Sequence, residues 1–365
     1  MPIIIDAHED IAYNHVNYQR DIRRTVQETR LKEKGSYIID ETDDTMLSWE
    51  EYQTGQVAMV FGTIFIVPGK HSPSTTLKPV YYSPDDVSRL YQEQIDYYRF
   101  LSQSPENQFE LISTRAQMNR ILNTWNDMPA FYPDIVHPVG ILMSIEGLEG
   151  IKDIKEIERY WEAGVRAIGP VWAGGRFCGG TLEFGGFTPD GYALLKEMNR
   201  FGFILDLSHM TDLSACQALD AYEGPVIGSH ANPRALLDER SGERHFSDSV
   251  IRGLIERDSV MGIVPFNRFL VPQWSKETDG KNVSLDNVIR HIDYVCQLAG
   301  TARHVAIGSD FDGGFGSQSV PQDLDTIADL QKLGPLLKDR GYTDSDIEGI
   351  FWKNWHRVLE NNLPL

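Results

Sequence analysis

Five short apolar runs, each closed by a histidine or a carboxylate, limit what this chain can fold into more than any other feature. In order they are PIIIDAHED with His8 and Asp10, VGILMSIEG with Glu146, FGFILDLSH with His209, PVIGSH with His230, and HVAIGSDFDGG with Asp310 and Asp312. Each is rich in Ile, Val and Leu and has the length of a buried strand. Each polar group falls at or just past the C-terminal end of its run. A parallel α/β barrel gathers the loops that follow its strands at one mouth and carries its chemistry there. Packing accounts for one histidine at a strand end. It does not account for three histidines and several carboxylates at the ends of five strands.

Three further runs complete a set of eight: 57–67 (VAMVFGTIFIV), 165–172 (VRAIGPVW) and 259–266 (SVMGIVPF). Helical periodicity separates most of them, over 84–100, 151–163, 211–222, 247–257, 285–298, 324–339 and 343–360. Ser48 and Glu51 have the spacing of a capping box, and Thr188-Pro189 reads as an N-cap followed by proline at the first helical position. Alternation of strand and helix on this scale means a parallel sheet. Eight strands favour closure into a (β/α)8 TIM barrel. No G-x-G-x-x-G follows the first strand, which removes the usual reason to choose a dinucleotide fold. The chain is longer than the ~250 residues of a plain barrel, so long loop insertions are expected within a single domain over 1–365. Residues 14–45 read as an excursion after the first strand. Residues 70–84 and 266–284 read as rims or lids.

The formal charge of −19 argues against a nucleic-acid partner, since a phosphate backbone demands basic patches. No run approaches the ~18 apolar residues of a membrane span. The N-terminus lacks a basic stretch followed by a long apolar one, so no signal peptide is expected. Cys178, Cys216 and Cys296 are scattered and odd in number, which points to free thiols and a cytoplasmic setting. Monomer and homodimer both stay open.

His8 and Asp10 are two residues apart, so a strand sends both to the same side, where they can bind one ion. Imidazole nitrogen with carboxylate oxygen suits Zn²⁺ or a similar divalent metal. Glu146 has two oxygens and can bridge two cations. His209 and His230 end neighbouring strands and together can hold the second. Two ions ~3.5–4 Å apart with a shared hydroxide form the arrangement of two-metal hydrolysis. Asp310 ends the last strand, beside the first in a closed barrel, and can serve as general base and then general acid. Asp6 and Asp206 precede ligand histidines and read as supports for them; Asp312 reads as a turn former with Gly313. His15, His71, His137, His245, His291, His304 and His356 read as surface or packing residues. Cys178 lies in a Gly-rich loop with no Cys-x-x-Cys partner.

These blocks resemble the membrane (renal) dipeptidase family, the M19 metallopeptidases among the amidohydrolase-type barrels. The resemblance runs from DAHED to FWKNWHRVLENN and is densest in TPDGYALLKEMNRFGFILDLSHM, EGPVIGSHANPRAL and HVAIGSDFDGG. It implies a binuclear zinc dipeptidase, with small dipeptides as substrate. His8 and Asp10 then resemble the ligands of one zinc, His209 and His230 those of the other, Glu146 the bridging carboxylate and Asp310 the acid/base. In GERHFSDSV, Arg244 resembles the arginine that binds the substrate's terminal carboxylate, with Arg234 and Arg240 nearby as alternatives.

Two positions depart from the family pattern. Trp172 stands where the best-studied members carry a histidine that contacts the substrate carbonyl. It either walls the substrate pocket or packs against the loop AGGRFCGG. Glu9 stands where the family has asparagine, and either adds charge beside the first metal or points away from it. A barrel hydrolase acting on a lactone, another amide or an ester is the alternative among enzymes. A metal-binding relative without peptidase activity is the alternative beyond them.

Overall fold

A computed structural model describes residues 1–72, 79–103, 109–126, 137–279 and 282–365, the side chains of 126, 239–241 and 279 excepted. Among the described residues nine parallel strands appear: β1 (Ile4–Glu9), β2 (Val57–Ile64), β3 (Phe109–Ile112), β4 (Val139–Glu146), β5 (Ala167–Gly169), β6 (Ile204–Asp206), β7 (Val226–Ile227), β8 (Met261–Ile263) and β9 (Val305–Ile307). Eight of them form the ring. β1, β2, β4, β5, β6 and β7 pair in that order, and β8 pairs with β9. Bridges from Gly228 to Met261 and from Glu9 to Phe311 join these two parts and close the (β/α)8 barrel. Every residue of β2 and β4 is buried. A strand covered on both faces has no solvent side, and its sequence runs apolar without alternation.

The ninth strand, β3, was not expected. Residues 101–138 carried no predicted element, yet they supply β3 and a helix, Arg115–Asn126. β3 pairs with the first half of β4, Phe109 opposite Val139 through Ile112 opposite Leu142. From Ser144 onward β5 pairs with β4. β3 therefore satisfies backbone groups at the bottom of the barrel that β5 is too short to reach. Four residues with a charged one at the second position carry too little pattern to read as a strand.

Several helix ends follow their caps. Thr188 Oγ1 accepts from Gly191 N at 3.0 Å, with Pro189 at the first helical position. Ser48 Oγ accepts from Glu51 N at 3.2 Å. The expected box is only half formed, because the Glu51 carboxylate instead accepts from Thr326 Oγ1 at 2.6 Å. Residues 343–360 divide into Asp344–Glu348, a π-turn at Gly349–Lys353 and Asn354–Asn362.

The excursion after β1 contains the short helices Ile11–Tyr18, Val26–Glu33 and Tyr37–Thr42. Buried Arg20 ties it together, donating to Glu33 (Nε to Oε1, 3.0 Å), Asn14 Oδ1 (3.2 Å) and Thr42 Oγ1 (2.9 Å). Asp312 is more than a turn former. It is buried, accepts from Met46 N at 2.9 Å and from Thr45 Oγ1, and lies 3.6 Å from Arg20. It fastens the excursion to the loop after β9. Of the two expected rim segments, 73–78 and 280–281 lie outside the described residues. The part at 267–279 forms two short helices, Asn267–Leu270 and Lys276–Asp279. No helix among the described residues is long and apolar enough to cross a membrane.

Candidate metal centre and its cavity

The barrel delivers its polar groups by a repeated local rule. Glu146 is the last residue of β4, while His209, His230 and Asp310 each stand three residues past the end of β6, β7 and β9. His209 and Asp310 have φ of 67° and 57°. A left-handed backbone costs a non-glycine residue roughly 1–2 kcal/mol, and such strain collects where a side chain has to be aimed. Gly313 makes room for the second of them, since a Cβ there would meet Asp310 Oδ1 at 2.1 Å.

Glu146 Oε1 lies 2.9 Å from His209 Nε2 and 3.2 Å from His230 Nε2, and the two Nε2 atoms are 3.1 Å apart. On the other side of His230 the ring of His8 lies 3.6 Å away, centroid to centroid. His8 Nε2 is 3.8 Å from Asp310 Oδ1 and 3.9 Å from Asp10 Oδ2. Two overlapping groups of metal-type ligands result, Glu146–His209–His230 and His8–His230–Asp310. The geometry thus brings all six sequence-derived residues together and puts His230 between the two halves, with Asp10 at the edge of the second.

Each imidazole is oriented by a hydroxyl on its far nitrogen. Thr63 Oγ1 lies 3.3 Å from His8 Nδ1, Thr181 Oγ1 2.9 Å from His209 Nδ1 and Ser229 Oγ 2.7 Å from His230 Nδ1. Ser229 gives its own proton to Asp206, so its oxygen receives Nδ1–H and leaves the Nε2 lone pair of His230 facing inward. Asp206 Oδ1 also accepts from Ser208 N (3.0 Å) and Ser229 N (2.9 Å). Asp6 does the same on the opposite side of the ring, accepting from His8 N (3.3 Å) and Ser309 N (2.7 Å). Both aspartates support the site, as their positions suggested. Thr63, Thr181 and Ser229 were not identified from sequence; a lone hydroxyl beside a strand end carries no distinguishing pattern.

The electrostatics favour a cation. Burial takes His8 down to about 4 and holds His209 and His230 well below the usual imidazole range. Burial first, then repulsion from neighbouring carboxylates including Glu146, holds Asp10 well above the usual carboxylate range. Burial also dominates at Asp310, where the pull of Arg244 opposes it. Burial raises Glu146, against the pull of His8 and Arg244. Asp10 Oδ1 and Glu146 Oε1 are buried and accept no hydrogen bond among the described residues. Lone pairs of neutral imidazoles converge on carboxylates that are expensive to ionise without a positive charge. A divalent cation supplies that charge, and the donor set of nitrogen and oxygen suits zinc.

Glu9 points away. It is buried against Tyr52, whose hydroxyl donates to Oε2, and burial holds it well above the carboxylate range. It adds no charge to the ligand cluster.

The centre opens into a cavity of about 1060 Å³. Arg244, Trp172 and His245 line it along with Asp10, Glu146 and Asp310. Arg244 is buried. Its Nη2 donates to His230 O at 2.9 Å, its guanidinium stands 5.2 Å over the Phe269 ring, and Nη1 has no hydrogen-bond partner among the described residues. Arg234 is instead engaged with Asp212. His245, read as a packing residue, is buried edge-on to Phe269 at 4.6 Å and reaches the same cavity. Neighbouring Arg244 in sequence was its one available signal.

A barrel mouth with paired His/carboxylate clusters, a strained carboxylate and a spare guanidinium defines a metal-dependent hydrolase. The sequence matches the model of the membrane dipeptidase family, peptidase family M19, over residues 1–363, and the chain belongs to that family, whose members are metallodipeptidases. It is 30% identical over 233 residues to an uncharacterized protein in the pqqA 5′ region of Klebsiella pneumoniae, covering 61% of this chain and 82% of that one. It is 30% identical over 279 residues to dipeptidase aclJ of Aspergillus oryzae, covering 70% of this chain and 62% of the relative. Among solved structures, a metallopeptidase described as dipeptidase AC superposes with a TM-score of 0.78 at 20% identity, over 100% of this chain and 99% of that one. A metallopeptidase from Rhodobacter sphaeroides, liganded with a phosphinate mimic of L-Ala-D-Ala, gives 0.78 at 20% identity over 99% and 100%. These two likenesses carry the fold.

Proposed function

We propose that the chain is a two-zinc dipeptidase, with Glu146 shared between the ions, His209 and His230 completing one site, and His8 and Asp10 the other. One observation carries the reading. Members of both overlapping ligand clusters and the Arg244 side chain line one cavity, and one guanidinium nitrogen of Arg244 has no hydrogen-bond partner among the described residues. When bound, a pair of divalent cations polarises the scissile carbonyl and activates water.

The protein's own groups do the rest. Arg244 receives the substrate's terminal carboxylate in a charge-assisted hydrogen bond, its guanidinium held in place by His230 O and Phe269. That anchor places the scissile carbonyl over Glu146, His209 and His230. Burial raises the Asp310 pKa above the usual carboxylate range, against the pull of Arg244. Asp310 accepts the proton of the attacking water and hands it to the departing nitrogen, which leaves as a neutral amine. Trp172 contacts the substrate from the cavity wall and has one N–H donor but no cationic form.

Protein purified without chelator and analysed for metals should hold two divalent ions per chain and release free amino acids from dipeptides. His209→Ala should remove mainly one ion, and Glu146→Ala should disturb both. A stoichiometry near zero after zinc reconstitution would sink the reading. Two metals with turnover of lactones or esters but no dipeptide would replace it.

A further inference from the structure

Aromatic rings line two separate arcs of the cavity. On the arc above β1, β2 and β5, Tyr13 and Phe65 lie 5.4 Å apart, and Phe65 and Trp172 lie 5.2 Å apart. Trp172 then approaches the His209 ring at 6.1 Å. Leu182, 48% exposed, extends this strip; its N–H donates to Ala173 O at 2.8 Å. All four residues line the cavity. The strip is rigid. Buried Gln94 pins the backbone of Phe65 from both sides, accepting from its N–H at 3.0 Å and donating to its carbonyl at 2.6 Å. Phe65 in turn backs Trp172, which keeps part of its surface open. The second arc, past β7 and β8, holds Arg244 and Phe269. Around the mouth the order is Trp172, His209, then His230 with Arg244.

We propose that the Tyr13–Phe65–Trp172–Leu182 strip is the subsite for the side chain of the substrate's N-terminal residue, and that it selects a large, flat, apolar one. The inference rests on the dipeptidase reading above. A dipeptide with its carboxylate on Arg244 and its scissile carbonyl over His209 and His230 has its N-terminal residue on the far side of those histidines. That side is the one Trp172 walls. Trp172, partly exposed, presents an aromatic ring to the cavity there, and rings prefer to stack offset or edge-on against one another. The strip itself offers no charged group to a charged side chain, which would lose hydration without a partner. The cavity, at about 1060 Å³, has room for such a side chain.

The test compares kcat/KM of the zinc-loaded enzyme on Ala-Ala, Leu-Ala, Phe-Ala and Trp-Ala. Phe-Ala and Trp-Ala should exceed Ala-Ala by about tenfold, equivalent to ~1.4 kcal/mol. Most of the gain should lie in KM, since stacking forms in ground and transition states alike. Leu-Ala should fall between. Trp172→Leu should shrink the Trp-Ala to Ala-Ala ratio about fivefold and Trp172→Phe should restore most of it. Phe65→Leu, at a second position, should shrink the ratio in the same direction. Equal kcat/KM on all four dipeptides, Leu-Ala matching Phe-Ala, or a ratio unmoved in Trp172→Leu would each overturn the subsite while leaving the dipeptidase reading standing. Turnover of none of the four would overturn the dipeptidase reading and the subsite with it.

Discussion

Ser229 Oγ lies 2.7 Å from His230 Nδ1 while its own proton goes to Asp206. The hydroxyl oxygen can then only accept, from Nδ1–H and from Ser208 Oγ at 3.3 Å, and the imidazole has a single lone pair left, on Nε2. Removing the oxygen frees the ring to rotate and to choose its tautomer. Ser229→Ala should lower zinc affinity by about 10–100-fold, the range for such outer supports, and Ser229→Thr should retain most of it. Competition against a chromophoric chelator reads this directly. Unchanged affinity in Ser229→Ala would show that packing alone orients His230.

Asp310 is proposed to move a proton, so losing its ability to ionise should stop turnover without emptying the site. Asp310→Asn should keep its metals and its fold and lose about 10²–10⁴-fold in kcat. Near wild-type turnover would make Asp310 a spectator. Loss of one metal would make it a ligand, a role its 3.8 Å approach to His8 Nε2 also permits.

Arg244 should discriminate between a free carboxylate and an amide at the substrate's C-terminus. A hydrogen bond to a charged group is worth ~1.5–3 kcal/mol, which corresponds to about 10–100-fold in kcat/KM. The wild type should prefer a dipeptide to its C-terminal amide by that factor, and Arg244→Met should prefer neither. A preference that survives in the variant would assign the carboxylate to another cation in the cavity.

Glu149, in the turn after β4, lies outside the ligand clusters but has a consequence for stability. Burial raises its pKa from 4.5 to about 7, opposed by its own backbone N–H and by Lys70 and assisted by Glu183 and Glu146. The folded state keeps this proton up to about pH 7, while the unfolded chain releases it near 4.5. Between those values the folded state binds more protons, so stability is full below 4.5 and declines as pH rises towards 7. Glu149→Gln mimics the protonated group and lacks the decline. The Tm of the variant minus that of the wild type should therefore grow from pH 5 to pH 8 in thermal melts. A constant difference would show that Glu149 ionises normally.

The parts of this molecule legible in sequence are those with a long or repeated pattern. β2 and β4 are long, nearly continuous apolar runs, and the ligands that close the runs of β1 and β4 stand out against them. β3, with four residues and an interior glutamate, has no such contrast. Asp312 looked like a turn former because a DG step commonly is one. Its partners Thr45, Met46 and Arg20 are more than 250 residues away in sequence, and no local pattern encodes them. The hydroxyl supports were hidden for the same reason; Thr63 lies inside an apolar strand, and Thr181 in a loop 28 residues from the histidine it holds. Arg244 was separable from Arg234 only once burial was known.

The paired aspartates under the site have a consequence for how the enzyme handles its ions. Asp6 ties the end of β1 to the loop after β9, and Asp206 ties the end of β6 to the loop after β7. Neither clamp uses an ion. Parting those strand ends would leave a buried carboxylate without its donors, a cost of several hydrogen bonds to a charged group. The ligands are thus mounted on a frame whose spacing belongs to the polypeptide. Exchanging one divalent cation for another in such a socket should therefore leave the strand ends where they are.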